Sequence, residues 1–187
     1  MQIILGSQSP RRLETLQKAG FEVEVIVPKT NEQFPSNLSI YQAPEFIATQ
    51  KLDAISSLIK QDNRFIICAD TIVLFEQQLL GKPIDEQQAF AYLKRMNGKK
   101  HEVITGVCMR KQQKSISFSE RAIVHFKQLS DAEIWHYIQH YNTLDKAGAY
   151  NIQEYNGIDM FEGEFENIMG LPIQRVLHEM SVWNSLT

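Results

Sequence analysis

The chain has 187 residues, 43% of them hydrophobic, and a formal net charge of −3. That length and apolar fraction suit one domain, expected over 1–187, with a substantial core, and they exclude disorder as the main state. The acidic balance supplies no global positive field for nucleic acid. The N-terminal apolar run is too short for a signal peptide, and nothing approaches the roughly 20 apolar residues of a spanning helix, so a soluble cytoplasmic protein without a membrane partner is expected.

QIIL at 2–5 reads as a buried strand, Ser7 to Ser9 as a turn, and Pro10 as the first residue of a helix capped by Ser9 and closed by Gly20. FEVEVIV at 21–27 alternates like a half-exposed strand, and Pro28 to Ala43 is a long polar loop. Pro44 opens a helix with Ala48, Leu52, Ile55 and Ile59 on one face and Lys51 beside that stripe. FIICA at 65–69 reads as a short strand covered on both faces, ending in Asp70 and Thr71 before IVLF continues. LLGKP follows a polar turn. Asp85 begins a helix burying Ala89, Leu93 and Met96, with Gln88 completing a capping-box-like pair. HEVITGVCM and SISFSERAIVHF alternate as strands around a KQQK turn. SDAE at 130–133 caps a helix expected to bury Ile134, Tyr137, Ile138 and Tyr141, and Pro172 starts a last helix with Ile173, Val176, Leu177 and Met180 inward. Interleaved strands and helices define an α/β class with a mixed sheet.

Arg11 and Arg12 occupy the first turn of a helix, where the dipole disfavours cations. Either both splay into solvent, or an anion joins them, held by the arginines, by main-chain N–H groups and by the hydroxyls of Ser7 and Ser9. The G-x-x-x-x-G-K-[ST] loop is absent. Asp70 is costly to desolvate at the end of a buried strand and serves a cation, a metal, a reaction or a local turn. Lys82 is framed by Gly81 and Pro83, Glu32 lies in a polar loop, and Lys51 reads equally well as a side chain snorkelling at the core's edge. The five histidines lack metal-ligand spacing, and neither Cys68 nor Cys108 has an activating neighbour, so covalent catalysis is not indicated and two reduced, buried thiols are expected.

Taken in order, GSQSPRR at 6–12, the Glu32 loop, Lys51, CADTIV at 68–73, LGKP at 80–83, NGKKHEVITGV at 97–107, DKAGAYNIQ at 145–153 and GEFENIMGLP at 163–172 resemble the Maf family of nucleoside triphosphate pyrophosphatases across nearly the whole chain. The resemblance implies an elongated, twisted mixed sheet flanked by helices, two lobes with a central cleft, and a homodimer. It implies hydrolysis of a nucleoside triphosphate to the monophosphate plus diphosphate with a divalent cation, Mg²⁺ or Mn²⁺, held by Glu32 and Asp70. Asp70, Glu32 and Lys82 take the catalytic roles, and Ser7, Ser9, Arg11, Arg12, Lys51 and Lys82 meet the phosphates. Thr71 and Gln153, with Arg11, look like the branch preferring dTTP and UTP. The alternatives are 7-methyl-GTP or another modified nucleotide as substrate, or a nucleotide- or nucleic-acid-binding regulator of septum formation. The chain departs from the family pattern at Asn31, where an acidic residue is common, at Ala122, where threonine is, and at Asn151 and Glu154, where the pyrimidine branch usually has glycines.

Overall fold

The computed structural model describes residues 1–59 and 62–185, so residues 60–61 and 186–187 of the expected domain lie outside the described residues. The strands are β1 (Gln2–Leu5), β2 (Glu22–Val25), β3 (Phe65–Phe75), β4 (Gln78–Leu80), β5 (Lys100–Lys111), β6 (Lys114–Phe126) and β7 (Ile158–Glu162). The helices are α1 (Pro10–Lys18), α2 (Ala43–Leu58), α3 (Glu86–Met96), α4 (Asp131–His140), α5 (Phe165–Met169) and α6 (Ile173–Ser185). They form a mixed seven-stranded sheet of order β2-β1-β3-β5-β6-β7, with β4 on β3. β1 runs parallel to β2 and β3, whereas β4 and β7 are antiparallel to their partners.

The chain forms two compact units, the first Met1–Asp70, Thr105–Glu120 and Glu166–Thr187, the second Thr71–Ile104 and Arg121–Phe165. In the first, strand periodicity sorts side chains onto two faces. Ile3, Leu5, Phe65, Ile67 and Ala69 join Leu16, Val176 and Met180 in one apolar cluster, while Ile4, Ile66 and Cys68 join Ala48, Leu52 and Ile55 of α2 in another. The alternation has a consequence one residue further on: Asp70 shares the parity of Ile66 and Cys68, which is the α2 face. Gly106 lets β5 pass close to the start of α2, since a Cβ there would lie 2.1 Å from the Glu45 amide nitrogen.

Local signals behave as their chemistry dictates. Ser9 caps α1, Asp85 caps α3, and Ser130 with Glu133 forms a reciprocal capping box on α4. Gln88 departs from the box expected of it, accepting from Ile84 N rather than from the cap residue.

Three expectations need correction, on β3, Tyr141 and Leu177, and one is refined. β3 does not stop near Asp70 but runs on to Phe75, so the aspartate lies within a strand. The polar turn after it is a tight hairpin, with Glu76 and Gln77 both at positive φ (50° and 63°) before β4. Tyr141 is 42% exposed, because α4 ends at His140 and Tyr141 is extended. Leu177 is 41% exposed, the inward face of α6 being carried by Val176 and Met180.

Candidate functional site

The turn between β1 and α1 is built from its own hydroxyls: the Ser9 amide donates to Ser7 Oγ at 3.2 Å, and Ser9 Oγ accepts from the Arg12 amide at 3.5 Å. The first turn of α1 holds no acidic residue, so the helix offers its N–H groups no carboxylate of its own. The two arginines separate here. Arg11 is half-buried, whereas Arg12 turns inward and is buried. Arg12 Nε donates to the Gly170 carbonyl at 2.8 Å, and its NH1 donates to Ser7 Oγ at 2.9 Å and to the Ala69 carbonyl at 2.8 Å. Burial lowers the Arg12 pKa from the ordinary guanidinium value, with Asp70 opposing that shift. One side chain thereby ties the turn after β1, the β3 backbone just before Asp70, and the turn into α6.

Across the α2 face, Lys51 Nζ donates to Asp70 Oδ1 at 2.8 Å and pairs with Glu32 Oε1, also at 2.8 Å. Lys51 is only 7% exposed, so pairing is what makes its charge tolerable there. It is not a snorkelling chain. The Asp70 side chain is 14% exposed and that of Glu32 59%, so the cluster grades from the sheet out to the loop. The first unit thus brings Ser7, Ser9, Arg11, Arg12, Glu32, Lys51 and Asp70 into one segment set.

The remaining expected residues, Thr71, Lys82 and Gln153, belong to the second unit. Thr71 directly follows Asp70 on β3 and is half-buried. Lys82 is exposed on a turn that is itself fixed, because the Gly148 amide donates to the Gly81 carbonyl at 3.2 Å. Gly148 holds φ +71° close against Val73, a conformation that other residues rarely adopt and a spacing that would crowd a Cβ. Gln153 is exposed, and its amide donates to Asn151 Oδ1 at 3.3 Å in a turn anchored by the Asn151 amide on the Tyr137 hydroxyl.

Sequence reasoning missed the Arg12 partners, two of which are backbone carbonyls that no side-chain motif advertises. It also missed His101, which is 2% exposed and hydrogen-bonded through Nε2 to the Tyr150 hydroxyl at 2.8 Å, among the rings of Phe126 and Tyr150. Burial drives its pKa down to about 3. Burial raises both thiols, Cys68 to about 12, which leaves them protonated and poor nucleophiles.

Among the described residues, no group of three or more His, Cys, Asp or Glu side chains converges to cage a metal. Two carboxylates that already converge on one cation fit a hard divalent ion that keeps several waters and borrows oxygens from a phosphate. Among the described residues, no helix is long and apolar enough to cross a membrane.

The sheet, its flanking helices and their order are an α/β fold shared with the Staphylococcus aureus Ham1 protein, which at 11% identity matches over 97% of this chain and all of that chain with a TM-score of 0.54. The chain belongs to the Maf-like protein family, whose model matches residues 2–182. It is 43% identical over 186 residues to a Bdellovibrio bacteriovorus protein named dTTP/UTP pyrophosphatase, covering 96% of this chain and 97% of that one. A protein of the same name from Bacteroides thetaiotaomicron is 41% identical, with 96% and 94% covered.

Proposed function

We propose that this chain hydrolyses nucleoside triphosphates, dTTP and UTP foremost, to the nucleoside monophosphate and diphosphate. The observation that carries this reading is the Glu32–Lys51–Asp70 cluster, a cation held between two carboxylates beside a helix start lined with hydroxyls and Arg11. The names of the relatives agree with it.

Water attacks the α-phosphorus, its proton passing to the Asp70 carboxylate, and the bond to the β-phosphate's bridging oxygen breaks to release diphosphate. Arg11, Lys51 and Lys82, with the Ser7 and Ser9 hydroxyls and the N–H groups of α1, neutralise and orient the phosphates. Arg12 serves them from behind, through the backbone it holds. Glu32 and Asp70 would hold Mg²⁺ or Mn²⁺, which when bound adds Lewis-acid neutralisation of phosphate charge. Thr71 and Gln153 are assigned to the base, the Gln153 amide reading a pyrimidine edge. The reading extends to a cytoplasmic homodimer, and two free buried thiols agree with a reducing compartment.

The test is diphosphate release from a panel of dTTP, UTP, 7-methyl-GTP and the other canonical nucleotides, with and without divalent metal. Preference for dTTP and UTP, lost selectively in Gln153→Ala, supports the assignment. A Gln153→Ala variant slowed equally on every nucleotide removes Gln153 from base reading, a 7-methyl-GTP preference overturns the substrate, and no release from any nucleotide overturns the activity.

A further inference from the structure

The Lys51 ammonium bridges the two carboxylates to which the metal ion is assigned above. Its Nζ lies 2.8 Å from Asp70 Oδ1 and 2.8 Å from Glu32 Oε1, and its side chain is 8% exposed. Two like-charged carboxylates converging on one point need a cation there, and α2 delivers one covalently, one residue from buried Leu52. The position of Lys51 on a well-packed helix makes this cation a permanent competitor for any free ion in solution.

We infer that Lys51 is a resident counter-ion that keeps the two carboxylates closed to divalent metal until a triphosphate arrives, so that metal enters with the nucleotide. This rests on the proposed assignment of the metal to Glu32 and Asp70. Phosphate oxygens give the ammonium an alternative anionic partner within reach of its flexible stem. Once it turns to them, Glu32 and Asp70 lose their ammonium partner and would hold a divalent ion, which would supply neutralisation of phosphate charge. Lys51 therefore opposes metal binding in the free protein and favours substrate binding in the complex. A lysine that only binds phosphate would show the second effect without the first.

The experiment is Mn²⁺ binding to nucleotide-free protein at pH 7.5 and constant ionic strength, followed by electron paramagnetic resonance of the unbound ion. Lys51→Met is expected to bind Mn²⁺ at least tenfold more tightly than the wild type, and Lys51→Gln, which keeps a polar head if Met does not fold, to do the same. Lys51→Arg, which retains the charge, stays within about threefold of the wild type. A nonhydrolysable triphosphate raises wild-type Mn²⁺ affinity by a larger factor than it does in Lys51→Met. If Lys51→Met and Lys51→Gln bind Mn²⁺ no more tightly than the wild type, the counter-ion role is overturned, while Mn²⁺ binding with nucleotide that is abolished by Asp70→Asn leaves the metal assignment standing. If the gain in Lys51→Met survives the added Asp70→Asn substitution, the ion lies elsewhere, and the metal assignment falls together with this inference.

Discussion

Arg12 NH1 donates to the carbonyl of Ala69 at 2.8 Å, one residue before Asp70 on the same strand. The bond makes an arginine in a helix's first turn a support for the β3 backbone beside Asp70. Its three acceptors, Ser7 Oγ and the carbonyls of Ala69 and Gly170, cannot all be reached by an ammonium from the same place. Replacing Arg12 by Met leaves these oxygens without their charged donor and is expected to destabilise the fold by about 3 kcal/mol in urea denaturation. A displacement of Asp70 by about 1 Å should lower kcat by about 10²-fold, with KM changed far less. Arg12→Lys should recover only a small part of both. An unchanged kcat with a raised KM would instead make Arg12 a direct phosphate ligand.

Asp70→Asn preserves the shape of the side chain and one hydrogen-bond acceptor for Lys51 but removes the proton acceptor. Steady-state kcat is expected to fall by about 10²- to 10⁴-fold. Affinity for a nonhydrolysable triphosphate, measured by calorimetry without metal, should not weaken, because a negative charge has been removed from the neighbourhood of the phosphates. A variant that turns over near the wild-type rate takes the proton-accepting role away from Asp70.

What the chain reveals in advance depends on how far apart the cooperating groups lie. Ser9 and Pro10 announce α1, and Ser130 with Glu133 announces α4, because a cap and its helix are neighbours in sequence. The continuation of β3 through Asp70 is hidden for the opposite reason: a lone carboxylate after an apolar run reads as an ending, and the cation that pairs with it, Lys51, lies 19 residues earlier. The 76–77 hairpin carries neither Gly nor Asn, the residues that ordinarily mark two successive positive-φ positions, so its type is invisible until the backbone is seen. Arg12 announces a basic helix start and conceals the carbonyls it faces. The residues proposed for the site come from their family pattern, whereas the inward turn of one arginine and the bridging by one lysine are properties of the packed sheet.

The passage of β5 over α2 depends on the missing side chain of Gly106. An added Cβ would stand 2.1 Å from Glu45 N and 2.3 Å from Pro44 C, backbone atoms that cannot swing aside. Gly106→Ala is therefore expected at the upper end of overpacking costs, about 3 kcal/mol. Gly81 is the control, because a Cβ there meets nothing within 4 Å and its φ is not positive. Gly81→Ala should shift stability by less than about 0.5 kcal/mol. Paired thermal melts of the two variants check the contrast, and a mild Gly106→Ala would mean that β5 and α2 are free to separate.

His101 makes stability depend on pH with a definite sign. Its pKa in the folded protein is about 3, against 6.5 for an ordinary histidine, because burial disfavours the imidazolium. Between those values the unfolded chain binds a proton that the folded chain refuses, so stability rises with pH across this window. The contribution is complete above pH 6.5 and is lost as pH falls toward 3. One such group has a limiting slope of about 1.4 kcal/mol per pH unit, which makes the protein about 2 kcal/mol less stable at pH 5 than at pH 7.5 from His101 alone. Carboxylates titrate in the lower part of the same range, so the comparison must be made with a variant. His101→Gln keeps a hydrogen-bonding group for the Tyr150 hydroxyl, which His101 Nε2 meets at 2.8 Å, and carries no titrating ring. Its stability from urea denaturation should be lower than that of the wild type at pH 7.5, yet fall less steeply down to pH 5. Parallel pH profiles for the two proteins would mean that the ring accepts a proton inside the folded aromatic cluster, through an opening of the Phe126 and Tyr150 packing that now surrounds it.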